Sequence, residues 1–192
     1  MNTLSEVSLE NFRTVLTTKN VRSFQFMQLV YIPIILVFLF QVWLSYDMAK
    51  PPKYPTMVIA LAEKMSLIHI IIFIVALILS KLLYDNKFSD ANLIKMVTRV
   101  IKTKSGIVQL TSAERCLRVI RLAIQTRSLL FMAAAITGIV LTRVIIDKGG
   151  LFIDTIYLYN LLSSIFMFVY IGLRFPTRER LENIFITRIQ KK

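Results

Sequence analysis

The chain has 192 residues, of which 56% are hydrophobic, and its mean hydropathy is +0.64. Soluble globular domains are about 45–50% apolar, so this composition excludes an ordinary soluble domain and indicates a membrane protein. The formal net charge is +13, and the single cysteine, Cys116, excludes an intramolecular disulfide and a cysteine-rich metal site.

The N-terminal part of the chain predicts a surface helix followed by a first membrane crossing. Residues 4–20 carry an amphipathic helical pattern, and an apolar run follows at about 28–46. Such a run is long enough for one crossing, which needs about 17–25 residues. Pro33 removes one backbone hydrogen bond and predicts a kink, while Trp43 and Tyr46 are typical of the membrane interface.

A second apolar run and a basic segment follow. The run at about 57–84 is longer than a bilayer requires, so either it tilts or its first turn lies at the interface. Residues 89–104 and the stretch that begins at Thr111 predict two basic amphipathic helices on the membrane surface. Thr111 and Glu114 have capping-box spacing, in which a hydroxyl and a carboxylate bind free amides at a helix start.

The last third of the chain predicts a second pair of crossings. Apolar runs at about 128–146 and 151–173 are joined by a tight turn at Gly149-Gly150, and residues 177–192 form a basic amphipathic tail. The predicted fold is therefore all-α. It is a polytopic integral membrane protein with four transmembrane helices in two tandem hairpins, and its amphipathic basic helices lie on the inner face.

Positive charge falls on alternate sides of the four runs. If all four cross the bilayer, 19 of the 24 Lys and Arg residues lie on the side that holds both termini. Because Lys and Arg accumulate in cytoplasmic loops, we predict cytoplasmic N and C termini, with residues 47–56 and 147–150 outside. A bacterial inner membrane is the preferred location, and an organellar inner membrane would show the same bias.

The two halves of the chain, 1–104 and 105–192, share one plan, which predicts an internal duplication. Each half has an amphipathic helix, two membrane crossings and a basic amphipathic end. A short motif occurs in both halves, as Arg22-Ser23-x-x-Phe26-Met27 and Arg127-Ser128-x-x-Phe131-Met132. Since both halves begin inside, their repeat axis would run along the membrane normal.

Polar residues inside a bilayer are costly and mark candidate sites. Six of them fall near one level of the second and fourth runs: His69, Ser66, Asp154, Tyr157, Asn160 and Ser164. We interpret them as a polar seam held by interhelical hydrogen bonds, with a proton or ligand site as the alternative. We expect no metal and no cofactor, because one histidine cannot supply the three protein ligands typical of catalytic zinc.

Two further groups of residues are singled out near the third run. Charged residues that we interpret as an ion-pair cluster, or alternatively as the mouth of a polar cavity, gather at the predicted outer helix ends: Glu63, Arg143, Asp147 and Asp154. Small residues at helical spacing, which let helices approach closely, form a predicted packing face: Ala134, Gly138 and Thr142.

The sequence contains no glycine-rich phosphate loop and no metal-ligand spacing, so it does not predict an enzyme. Two classes of function remain. The first is a non-catalytic integral membrane subunit or scaffold of a larger membrane protein complex. The alternative is a small oligomeric transporter or channel that uses the polar seam.

The expected partners follow from the same features. We expect membrane lipids, with anionic lipid at the basic inner face, and either other membrane proteins or further copies of the chain. We do not expect nucleic acid, because no aromatic residues alternate with the arginines to stack on bases.

Overall fold

The computed structural model describes residues 7–98, 101–103, 106–108, 110–150 and 156–191. Eight α-helices are found in this part of the chain: α1 (Leu9–Val15), α2 (Thr18–Leu29), α3 (Tyr31–Asp47), α4 (Pro55–Lys87), α5 (Asp90–Thr98), α6 (Ser112–Asp147), α7 (Leu162–Leu173) and α8 (Arg178–Phe185). A 3₁₀ helix, Ile156–Leu161, precedes α7, and a π-helical turn, Ile186–Gln190, follows α8. The predicted all-α class is confirmed.

Three helical stretches are long and apolar enough to cross a membrane, namely Thr18–Asp47, Pro55–Lys87 and Ser112–Asp147. A fourth is added if Tyr157–Leu173 and Arg178–Gln190, which meet at a bend of 90°, count as one broken span. Length and composition therefore support a multi-pass membrane protein with three to four spans.

The first run is interrupted by one residue, Val30, between α2 and α3, while Thr18–Asp47 still counts as one helical stretch, and the kink at Pro33 stays a prediction. Pro33 has no N–H to donate to the carbonyl oxygen four residues earlier, at Leu29, so the helical hydrogen-bond series is broken there. Pro33 consequently lies in the first turn of α3, where free N–H groups are normal.

The predicted helix over 89–104 is wrong in its second half. Helix α5 ends at Thr98, and two three-residue strands follow, β1 (Ile101–Thr103) and β2 (Gly106–Val108). They pair antiparallel, with Ile101 opposite Val108. The sequence here is rich in β-branched residues, which are poor helix formers and good strand formers, and this outweighs the amphipathic pattern.

The chain forms two compact units, each built from several segments. The basic unit comprises residues 1–27, 81–127 and 175–192, and the apolar unit comprises residues 28–80 and 128–174. The basic unit carries 18 of the 24 Lys and Arg residues and 7 of the 11 acidic ones. Each unit takes segments from both halves of the sequence, and the duplication into 1–104 and 105–192 stays a prediction.

In the core of the basic unit the first helix, α1, packs against the last helix, α8. Phe12 of α1 stacks on Phe185 of α8 with ring centroids 4.2 Å apart, and both rings are fully buried. Beside them the Glu182 carboxylate accepts hydrogen bonds from Arg13 (2.9 Å) and Arg178 (3.2 Å). The hydrogen bond and charge of Arg13, assisted by Arg178, hold the pKa of Glu182 below its ordinary value.

A second group of contacts in the basic unit surrounds Tyr84, near the C-terminal end of α4. The guanidinium groups of Arg127 and Arg188 lie 5.4 Å and 5.7 Å from the centre of its ring, within range for cation–π attraction. Arg188 also pairs with Asp85 at 3.1 Å. Side chains from three segments of the chain are thereby fixed together.

Candidate functional site

Helix α4 has one buried stripe in the apolar unit, and its side chains are small or polar. The stripe follows helical spacing and consists of Val58, Ala62, Ser66, His69, Ala76 and Ser80. Large apolar side chains cover the other faces: Leu67, Ile68 and Ile71 are each more than half exposed. Ser66, His69 and Ser80 therefore face the protein, as expected for polar groups in the membrane-spanning part of a helix.

His69 is held by a hydrogen bond to α7. Its Nε2 lies 3.0 Å from the Ser163 hydroxyl oxygen, which in turn lies 3.3 Å from the carbonyl oxygens of Ala134 and Asn160. The hydroxyl has one proton to donate among these acceptors, and the tautomer of the ring sets which atom donates between Nε2 and the hydroxyl. In either case Ser163 links the His69 ring to the backbone of α6 and of the 3₁₀ helix.

Gly138 of α6 lies at the point of closest approach in this region. A Cβ at this position would overlap the carbonyl oxygen of Asn160 and lie 2.7 Å from His69 Nε2. Ala134 and Thr142, on the same face of α6, are also buried. The Thr142 hydroxyl lies 2.9 Å from the Gly138 carbonyl oxygen in its own helix and 3.4 Å from the Tyr157 carbonyl oxygen in the 3₁₀ helix. This face thus packs within the chain, against α4 and the Ile156–Leu161 turn.

Asn160, in the 3₁₀ helix that precedes α7, is completely buried. Neither Oδ1 nor Nδ2 of its side chain has a hydrogen-bond partner in the described part of the chain, and the same is true of His69 Nδ1. A buried polar group without a partner costs about 1–3 kcal/mol. These three atoms, like Gln28 Oε1 of the same unit, are therefore free to bind a polar ligand or a water molecule.

The structure brings the predicted seam residues only partly together. His69 and Asn160 meet around Gly138, and Ser66 and Tyr157 are buried. The Ser164 hydroxyl lies 3.5 Å from the Ala135 carbonyl, at the limit of a hydrogen bond. Asp154 lies outside the described residues.

Sequence reasoning missed two polar contacts of the apolar unit. Ser163 is the direct partner of His69, and its only sequence signal is that it lies one helical turn after Asn160. The Gln28 side chain donates to the Ser128 hydroxyl at 2.8 Å, and both residues are buried. No local pattern marks this second pair, because its members are a hundred residues apart.

The predicted outer ion-pair cluster is reduced to a single pair in the described part of the chain. Arg143 and Asp147 lie 3.7 Å apart and are both about half exposed, so the pair contributes little. Arg143 also donates to the Gln41 side chain at 3.1 Å. Glu63 is exposed and forms no ion pair with the described residues, and Asp154 again lies outside them.

Comparison of the chain with protein-family models, curated proteins and solved structures finds no match. The described residues also contain no group of three or more His, Cys, Asp or Glu side chains placed to hold a metal ion.

Proposed function

We propose that the protein is a non-catalytic integral membrane subunit or scaffold of a larger membrane complex. In this proposal it crosses a bacterial inner membrane four times as two tandem hairpins, with both termini in the cytoplasm. The amphipathic basic segments lie at the inner face, where they contact anionic lipid.

The packing at Gly138 is the observation that carries the proposal. His69, Ser163 and the Asn160 backbone close against α6 so tightly that even a methyl group at position 138 does not fit. Polar side chains arranged in this way hold helices together. Such an arrangement favours a structural role over a passage for a substrate.

The first two spans leave most of their apolar surface exposed, and this surface is available to partners. Only 22% of the most apolar window of Thr18–Asp47 is buried within the chain, and the same fraction of Pro55–Lys87, against 50% for Ser112–Asp147. On α3 the exposed side chains include Val37, Phe40 and Trp43, each more than half exposed. These faces contact lipid or the helices of another subunit.

The mass of the purified particle tests the proposal. The chain, tagged at its C terminus, would be extracted from its native membrane in mild detergent and weighed by native mass spectrometry. We expect a particle that contains chains of other sequence in fixed ratio. A monomer, or a complex of this chain alone, would contradict the subunit role.

A small oligomeric transporter or channel is the second candidate, and the unpartnered atoms of Asn160 and His69 favour it. Its test is proton flux into vesicles that contain the purified chain and a trapped pH-sensitive dye. Under this candidate, His69→Ala combined with Asp154→Asn abolishes the flux. Under the subunit proposal the wild-type vesicles show no flux above empty ones, and the substitutions cost only modest stability.

A further inference from the structure

A groove in the basic unit, which we call the arginine groove, has a volume of about 480 Å³. Helix α2 supplies one wall and helix α6 the other, and the lining includes Asn20, Ser23, Phe24, Arg118, Arg121 and Gln125. None of the contacts described so far occupies it. Its lining combines positive charge, amide and hydroxyl groups, and apolar surface.

Two arginines one helical turn apart supply the charge of the groove. Arg118 is half-buried, and the exposed Arg121 places its guanidinium 6.0 Å from the centre of the Phe24 ring. Neither arginine is ion-paired with a carboxylate in the described part of the chain. Their forked donors therefore remain available for an anion, and the aromatic ring helps to orient one of them.

One carboxylate also lines the groove, and it is already engaged. Glu114 accepts from the Thr111 backbone N–H at 2.8 Å and from its hydroxyl at 3.0 Å, while Thr111 accepts from the Glu114 N–H at 3.3 Å. This is the predicted capping box, which is confirmed. The carboxylate is thus held at the first turn of α6, and Arg118 and Arg121 lie one and two turns further along.

The remaining lining is apolar, with Phe24 on one wall and Leu117 and Leu122 on the other. A free inorganic anion gains nothing from such surface, whereas the glycerol and first acyl carbons of a lipid do. The combination of a doubly basic end with an apolar wall fits an amphiphile that carries a phosphate.

The groove residues lie next to apolar stretches of the sequence on both helices. Phe26, three residues after Ser23, is 70% exposed, and an uncharged stretch begins at Ser128, seven residues after Arg121. On both helices the groove residues directly precede lipid-compatible sequence. This is the level at which phosphate headgroups lie when the helices cross a bilayer.

We propose that the arginine groove binds the phosphate headgroup of one anionic glycerophospholipid. Arg118 and Arg121 hold the phosphate, Ser23 and Gln125 donate to its remaining oxygens, and the acyl chains start along Phe24. The proposal rests on the membrane location in the proposed function but not on the subunit role, so the two are tested separately.

Titration calorimetry with dihexanoyl phosphatidylglycerol tests the proposal on the full chain in neutral detergent. We expect saturable binding of one lipid per chain. Arg118→Gln with Arg121→Gln should weaken it about thirtyfold, since one arginine near an anionic headgroup contributes about fivefold. The matched control is Lys19→Gln with Arg22→Gln, which removes the same charge from exposed positions of α2 outside the groove and should change binding less than about twofold.

Several results overturn the proposal. Equal loss of binding in the groove variant and the control would mean that charge acts without a site. Equal affinity for dihexanoyl phosphatidylcholine would remove the preference for an anionic headgroup. Binding of inorganic phosphate with the same affinity and the same dependence on the two arginines would assign the groove to free phosphate instead.

A lysine variant protects the test against misfolding. Arg118→Lys with Arg121→Lys keeps both charges but loses the forked donor geometry of arginine. If the glutamine variant loses its helical circular dichroism signal, the lipid affinity of the lysine variant is compared with that of the wild type instead. Weaker lipid binding at unchanged helicity supports the proposal, and unchanged binding overturns it. Particle mass is measured on the same samples, so a failed lipid site is distinguished from a failed subunit role.

Discussion

The basic unit and the apolar unit both bury apolar side chains, and they differ in the polar groups that they bury and in the surface that they expose. In the basic unit the phenylalanine rings of Phe12 and Phe185 are inside, and the arginines lie around them. In the apolar unit His69, Ser163 and other polar groups are buried beside apolar side chains such as Ile139, and many further leucine and isoleucine side chains are exposed. The charged surface of the basic unit thus suits contact with water, and the apolar surface of the apolar unit suits contact with lipid. In lipid, apolar burial gives little driving force, and polar groups seek partners inside the protein.

The largest effect is expected in the apolar unit at Gly138, where α6 lies closest to the Asn160 backbone and the His69 ring. Gly138→Leu forces a side chain into the Asn160 backbone and the His69 ring, so we expect loss of the folded particle. Size-exclusion chromatography in detergent measures the outcome. The control is Gly172→Leu, a second helical glycine of the same unit, where a Cβ would meet no atom within 4 Å from outside its own stretch of helix. A Gly138→Leu variant that elutes like the wild type would contradict the packing described here.

The contribution of the buried aromatic core to the stability of the basic unit is tested at Phe12. Phe12→Ala removes a fully buried ring from its stack on Phe185 and should cost about 3–5 kcal/mol. Phe26→Ala is the matched control, because Phe26 belongs to the same unit and is 70% exposed. Thermal denaturation followed by circular dichroism compares the two. Similar melting temperatures for both variants would show that the basic unit has no such core.

Asn160→Leu is expected to increase the stability of the apolar unit, whereas Gly138→Leu decreases it. The substitution replaces a buried amide without partners by an apolar side chain of similar size, so we expect a gain of about 1–3 kcal/mol in stability. Ser163→Ala is the comparison, since it removes the partner of His69 and should cost about 0.6–2 kcal/mol. Denaturant titration in detergent micelles measures both. Destabilisation by Asn160→Leu would mean that the amide is engaged with a bound molecule, which favours the transport candidate.

The smallest expected effect is the pH dependence of Glu182. Its pKa in the folded chain is lowered, mainly by Arg13, so its charge stabilises the folded state above the unfolded pKa. That contribution is lost as the pH falls through the lowered folded value. The melting temperature of Glu182→Gln should therefore be below that of the wild type at pH 7, and the difference should shrink in acid. A constant difference at all pH values would exclude the charge as its cause.

Local signals in the sequence predicted several elements correctly. The capping box at Thr111 and Glu114 forms as expected, because it needs only residues of one helical turn. The predicted turn contains Gly149, whose φ of +85° only glycine adopts without strain. In each case the cause lies within a few residues.

Contacts between distant segments could not be predicted in this way. Arg13 and Glu182 are 169 residues apart, and His69 and Ser163 are 94 apart. Which residues meet depends on the rotation of each helix about its axis, and the apolar pattern fixes that rotation poorly when most faces are apolar. The strands after α5 were missed because short amphipathic patterns do not separate a helix end from a strand pair.

The sequence by itself determined which segments are long and apolar enough to cross a membrane and which are basic and amphipathic. It could do so because hydropathy and charge add up along the chain without reference to distant residues. Only the tertiary structure decided that His69 meets Ser163, that Gly138 is the point of contact, and that Arg118 and Arg121 share a groove with Phe24. Those pairings are set by the close packing of whole helices, where one side chain too large changes every neighbour.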